Sequence, residues 1–281
     1  MNNKYINQSF TGERALFMCE NSVIENCIFE DGESPLKHSH DLTVNSVDFK
    51  WKYPLWYSRN ITVSDSTFHE MARAAVWYTD NSVFKNIKYI APKGFRRCRG
   101  LTLENVEFSD AKETLWQCSD VVLKNVKARG DYLAMNCENM EIDGLDLDGN
   151  YSFDGAKNIT IRNSRLMSKD SFWNSENITV ENSVISGEYL GWNSKKLTLV
   201  NCTVESLQGL CFCEDLVLEN CTLNNTNLAF EYSTVNAEIN GFVESIKNPS
   251  GGSITADEIG EIIMESDRVD VSATRIICRK S

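Results

Sequence analysis

The sequence predicts an all-β chain, a single-stranded right-handed parallel β-helix of about 12–13 coils with three short strands in each. Three observations carry this. Asparagine or a stand-in returns every 19 to 21 positions, at Asn7, Asn26, Ser46, Asp65, Asn86, Asn105, Asn125, Gly144, Asn163, Asn182, Asn201, Asn220 and Gly241. Apolar residues alternate just before it (Leu101 and Leu103, Ile159 and Ile161, Leu216 and Leu218), which is the period of a strand. A second polar column lies five residues upstream, at Asn21, Asp41, Asn60, Asn81, Gly100, Asp120, Asn139, Asn158, Asn177, Lys196 and Asp215.

Both polar columns read as corners. Asn, Asp and Gly tolerate the left-handed backbone that a sharp bend between strands requires. Two bends and one looser connection give three strands per coil. Each coil advances by one strand spacing, ~4.8 Å, so thirteen coils would make a rod on the order of 60 Å long. Parallel crossovers are right-handed, and the coil follows them. Residues 1–245 form this helix, and 246–281 are expected to supply the Asn248–Gly252 loop and closing strands of the same domain.

Charge and cysteine narrow the function. The net charge of -12 opposes non-specific nucleic-acid binding and repels polyanionic substrates. The opening residues lack the apolar core of a secretion signal and no run reaches membrane-spanning length, so a cytoplasmic protein without membrane association is expected. Most of the ten cysteines fall in columns of small residues, such as Cys98, Cys118 and Cys137, where a thiol acts as a small interior side chain. Neither a metal site nor a cofactor is expected. A charged column (Arg59, Asp80, Arg99; Glu138, Lys157, Glu176, Lys195, Glu214) alternates in sign and reads as ladder pairs on the surface.

One face could carry chemistry. Five of the six tryptophans share a column nine residues before the first corner: Trp56, Trp77, Trp116, Trp173 and Trp192, with Lys37, Arg96 and Asp154 among them. Beside it run Tyr57, Tyr78, Arg97, Gln117, Asn136, Asn174 and Asn193. Charges are not tolerated in a continuous apolar interior, and uniformly apolar or small columns flank these two. Either the tryptophans interlock inward with the column of small residues or, as the charges among them favour, a bend turns both columns outward. Aromatic faces stack on sugar rings while Asn, Gln, Asp and Arg bond hydroxyls, so an oligosaccharide fits this face. The cluster Lys93, Arg96, Arg97 and Arg99 suits an acidic small ligand. Candidate catalytic carboxylates are Asp154 and the pair Glu113 and Asp131, placed on adjacent coils. The same face could instead dock a protein partner or a second copy, and the chain is expected to be a monomer or homodimer.

The segments Leu197-Thr-Leu-Val-Asn-Cys-Thr-Val204, Pro54-Leu-Trp-Tyr57, Thr114-Leu-Trp-Gln117, Ser245-Ile-Lys-Asn-Pro249 and Ile259-Gly-Glu-Ile-Ile263 are similar to an uncharacterised bacterial family. In fold that family resembles the pectin-lyase-like right-handed β-helix superfamily. Its members often carry a hydrogenase label, which a chain without paired Cys-x-x-Cys motifs does not support. Nor are the signatures of polygalacturonases or the calcium cluster of pectate lyases present. The resemblance implies a fold and no particular reaction. If the chain is an enzyme, lyase or hydrolase chemistry on a carbohydrate is the expectation. A redox or metal protein is the weakest alternative.

Overall fold

A computed structural model describes residues 3–280, and among these there is no helix. The chain divides into two compact units, Met1–Asp146 and Leu147–Ser281. Each is a parallel β-solenoid. In the first unit eight strands of the main face begin at Asn3, Glu20, His40, Arg59, Asp80, Arg99, Ser119 and Glu138. In the second, seven begin at Lys157, Glu176, Lys195, Leu216, Thr234, Gly251 and Thr274. The last two exceed the expected count, because Gly251–Ile263 and Thr274–Cys278 add parallel turns beyond the final corner at Gly241.

Register follows the sequence columns. Thr43 pairs Thr62 and Thr62 pairs Val83, as Thr160 pairs Thr179 and Thr179 pairs Thr198. Every residue of both corner columns has a positive φ, from 49° to 83° in the first column (Asp65 49°, Asn105 53°, Gly241 83°) and equally at Lys196, 52°. Amides at the corners donate from turn to turn: Asn105 to Asn86 at 3.1 Å and Asn125 to Asn105 at 3.3 Å, then in the second unit Asn201 to Asn182 at 3.1 Å and Asn220 to Asn201 at 2.7 Å. Each amide meets its neighbour's oxygen because parallel strands in register repeat one geometry at every turn.

A short strand follows the first corner, as at Ile28–Phe29 and Thr67–Phe68. Among the described residues the third side is a strand at Leu55–Trp56, Val76–Trp77 and Phe95–Arg96 alone. From Leu115 onward the residue that opens this side is itself left-handed (Leu115 57°, Ala134 59°, Phe153 60°), so turns replace the extended pair.

The core is stacked in layers one turn thick. In the first unit the rings of Phe29, Phe49, Phe68 and Tyr89 stack at 5.3, 4.7 and 4.8 Å. Tyr89 is the anomaly, a fully buried phenol whose hydroxyl makes no hydrogen bond of good geometry, although the Ala75 backbone lies near it. Burial pushes its pKa far up, and a lone buried hydroxyl opposes folding by about 1–3 kcal/mol. Tyr89→Phe is therefore expected to stabilise the protein by about 1 kcal/mol, measured by urea unfolding. An unchanged or lowered midpoint would show that the hydroxyl is satisfied.

Nine of the ten cysteines are buried and none is bridged; Cys278 is exposed. Burial drives the Cys98 and Cys118 thiols well above their ordinary range and Cys213 to about 11. The column of small residues also has a polar task. Ser58, Thr79, Cys98 and Cys137 each donate to a carbonyl of the preceding turn, at Leu36, Leu55, Val76 and Leu115, at 3.0, 2.7, 3.3 and 2.8 Å. Serine, threonine and cysteine interchange there because each is small and carries one donor.

Candidate functional site

The two outward columns emerge where the backbone turns left-handed at a third place. Tyr57, Tyr78, Arg97, Gln117 and Asn136 have φ of 55°, 56°, 50°, 54° and 52°. A residue in this region reverses the side-chain alternation, so two neighbours face solvent together. Trp56, Trp77, Arg96 and Trp116 are half-buried, Tyr57, Arg97, Gln117 and Asn136 are exposed, and Leu55, Val76, Phe95 and Leu115 before them are fully buried.

In the first unit the Trp column is a continuous stack. Trp56 lies on Trp77 at 5.1 Å with planes 5° apart, and Lys37 Nζ sits 5.7 Å above Trp56. The Arg96 guanidinium fills the gap between Trp77 and Trp116, at 4.6 and 4.5 Å from their ring centres. The neighbouring column stacks His38, Tyr57 and Tyr78 at 5.2 and 4.7 Å, with Arg97 at 5.9 Å over Tyr78.

Each indole is also tied down by its N–H. Trp56, Trp77 and Trp116 donate to the carbonyls of Ala74, Lys93 and Tyr132 on the next turn, at 2.6, 3.1 and 2.7 Å. These acceptors sit on a fourth left-handed column (Ala74 52°, Lys93 58°, Tyr132 63°) that sequence reasoning missed, since residues of every type occupy it. The consequence corrects an expectation. Ring faces in this stack lie against each other and against cations, so the face presents aromatic edges, and a sugar ring cannot lie flat on Trp56 or Trp77.

The stack opens where the aromatic residues give way to shorter ones. A recess of about 340 Å³ is lined by Trp77, Tyr78, Arg96, Arg97, Trp116, Gln117, Met135 and Asn136. Arg97 Nε donates to Gln117 Oε1 at 2.9 Å, which leaves the Gln117 NH₂ as the group offered outward.

The candidate carboxylates have structural employment. Glu113 Oε2 takes both Lys93 Nζ at 3.1 Å and Arg96 Nη2 at 3.3 Å, and so serves as the counter-ion that sets Arg96 between the indoles. Asp131 lies on the adjacent turn, its backbone carbonyl accepting the Glu113 amide at 3.0 Å. Asp154 belongs to the second unit, where its Oδ1 accepts from Asn174 at 3.0 Å and the Asn174 oxygen accepts from Asn193 at 2.8 Å. That unit has its own aromatic row: Trp173 and Trp192 lie 6.1 Å apart and tilted by 32°, and Phe212 is 4.6 Å from Trp192. Among the described residues no group of three or more His, Cys, Asp or Glu side chains is arranged to hold a metal ion.

Three solved structures are weakly similar to the chain. A surface adhesin of Streptococcus pneumoniae, PfbA, is 11% identical, with 90% of this chain and 84% of that one covered and a TM-score of 0.42. A tailspike of E. coli bacteriophage HK620, solved with a hexasaccharide, is 10% identical over 93% and 60%, at 0.46. The A-module of the Azotobacter vinelandii mannuronan C-5 epimerase AlgE4 is 9% identical over 99% and 87%, at 0.27. Similarities this low identify no shared activity. No curated protein sequence matches the chain. Residues 3–277 match a family described as "Protein of unknown function (DUF3737)", and the chain belongs to that family.

Proposed function

We propose that the outward face of the first unit binds a saccharide, gripping it by hydrogen bonds from a rigid row of polar and aromatic edges. The observation that carries this reading is the backbone under Tyr57, Tyr78, Arg97 and Gln117. All four are left-handed, where Asn or Gly fits and a bulky residue is disfavoured by about 1–2 kcal/mol. The two corner columns hold Asn, Asp or Gly at nearly every turn; here, as in the column of Lys93 and Tyr132 whose carbonyls tie down the indoles, four successive turns hold large side chains against the backbone's preference. Such strain concentrates where side chains serve something besides the fold. Met135 and Asn136 then leave room for one sugar-sized group beside Arg97 and Gln117.

Binding of an oligosaccharide panel, followed by tryptophan fluorescence and thermal shift, tests the reading. At least one oligosaccharide is expected to bind, and Gln117→Ala to weaken it by about tenfold, as loss of a hydrogen bond at a binding site does. A second reading has its own support: rings stacked face to face leave no platform for a sugar, which suits a flat protein partner. Silence across the panel, with a dimer by light scattering that Trp116→Ala dissolves, would replace the first reading with the second.

A further inference from the structure

The recess has no carboxylate in its lining, although the chain as a whole carries a net charge of -12. It has two guanidinium groups and two amides instead. Arg97 Nε uses the Gln117 oxygen, so the Gln117 amide turns its donor outward beside Arg97. Arg96 is flanked on both faces by indoles, and a guanidinium so placed can be approached only in its own plane. Its pairing there is incomplete. Glu113 meets Nη2 at a long 3.3 Å and shares the same oxygen with Lys93, while Nε is buried without a partner. A guanidinium offers five donors. Two cations (Lys93 and Arg96) thus share one structural carboxylate while Arg97 bonds an amide oxygen, and the donors outnumber the acceptors around this recess.

We propose that the recess is selective for an anionic group, a carboxylate or phosphate on a ligand about the size of one sugar residue. The anion bonds Arg97 and the Gln117 NH₂ directly and competes with Glu113 for the in-plane edge of Arg96. Indole faces on either side hold that edge fixed and exclude water from it, which strengthens a charged hydrogen bond relative to one in bulk solvent. The inference rests on the saccharide reading only for the identity of the ligand's body; the charge preference stands on the recess lining alone.

The test is titration of the intact protein with glucuronic acid, glucose 6-phosphate and glucose, and with acetate and inorganic phosphate, read by the fluorescence of Trp77 and Trp116. Both acidic sugars are expected to bind about tenfold more tightly than glucose, the increment of one charged hydrogen bond. The tighter of the two identifies the anion as carboxylate or phosphate. Arg97→Gln, an exposed position that the fold tolerates, is expected to erase the difference, and Glu113→Gln to tighten acid binding several-fold by freeing Arg96. Glucose binding as well as the acids, or a difference untouched by Arg97→Gln, would overturn the proposal and leave the saccharide reading standing. Acetate and phosphate binding as tightly as the acidic sugars would keep the anion site and remove the saccharide reading. No response to any probe would overturn both.

Discussion

Phe68→Ala is expected to lower the unfolding free energy by about 4 kcal/mol, the scale of a buried phenylalanine truncated in a well-packed core. Phe68 is fully buried, sandwiched by Phe49 at 4.7 Å and 15° and by Tyr89 at 4.8 Å and 20°. The loss has two parts. Transfer of the ring to water accounts for roughly half, and the cavity accounts for the rest, because the turns above and below are held at strand spacing and cannot close on it. Phe68→Leu retains most of the volume and is expected to cost about 1.5 kcal/mol or less. Urea unfolding of both variants checks this. A loss below about 2 kcal/mol for Phe68→Ala would mean that the layers repack across turns.

Gly252→Ala is expected to be as damaging for a different reason. Gly252 pairs with Val235 in the parallel ladder of the second unit, at a φ of 100°. An added Cβ would stand 2.0 Å from the Val235 carbonyl oxygen, a backbone atom that cannot rotate away. Relief requires strand Gly251–Ile263 to slide off Thr234–Lys247, with loss of several ladder hydrogen bonds. A loss of roughly 3 kcal/mol or more is expected, with weakened amide protection confined to these two strands. The neighbour supplies the control. At Gly251 the nearest atom to a new Cβ is the Thr234 Cγ2 at 3.6 Å, ordinary contact, and Gly251→Ala is expected to be neutral or stabilising by about 0.5 kcal/mol.

How much of this was legible in the sequence depends on whether a position selects its residue. The corners at Asn105 and Asn139 could be read because a left-handed bend favours Asn, Asp and Gly, and the in-register amides reinforce the choice. Lys157, Glu176 and Lys195 were legible as a ladder because like charges would repel; Lys157 and Glu176 pair at 3.1 Å, and Lys195 reaches Glu214 at 2.9 Å. The outward placing of Trp77 and Trp116 followed from Arg96 and Asp154 sharing their column. Their orientation did not follow. Ring planes depend on the indole N–H reaching Lys93 and Tyr132, and nothing in the residue types announces those carbonyls as acceptors. Leu115 and Tyr132 were opaque for a related reason: their left-handed backbone is imposed by the turns around them and not by the side chains they carry. The serine and cysteine column was legible as small, while its hydrogen bonds to Leu36 and Val76 depend on the turn below and leave no mark in the residue types.

The double variant Arg97→Asn, Gln117→Asn separates side chains that the fold needs from side chains that it merely tolerates. Asparagine suits the left-handed backbone at both places, and the contacts given up are exposed: a cation over Tyr78 at 5.9 Å and a surface hydrogen bond of 2.9 Å. Measured side by side by urea unfolding and by ligand titration, the variant should be about 1 kcal/mol more stable than the natural chain and should bind its ligand at least about tenfold more weakly. A variant that unfolds more easily while binding undiminished would contradict the assignment of this face to a ligand and return Arg97 and Gln117 to the fold.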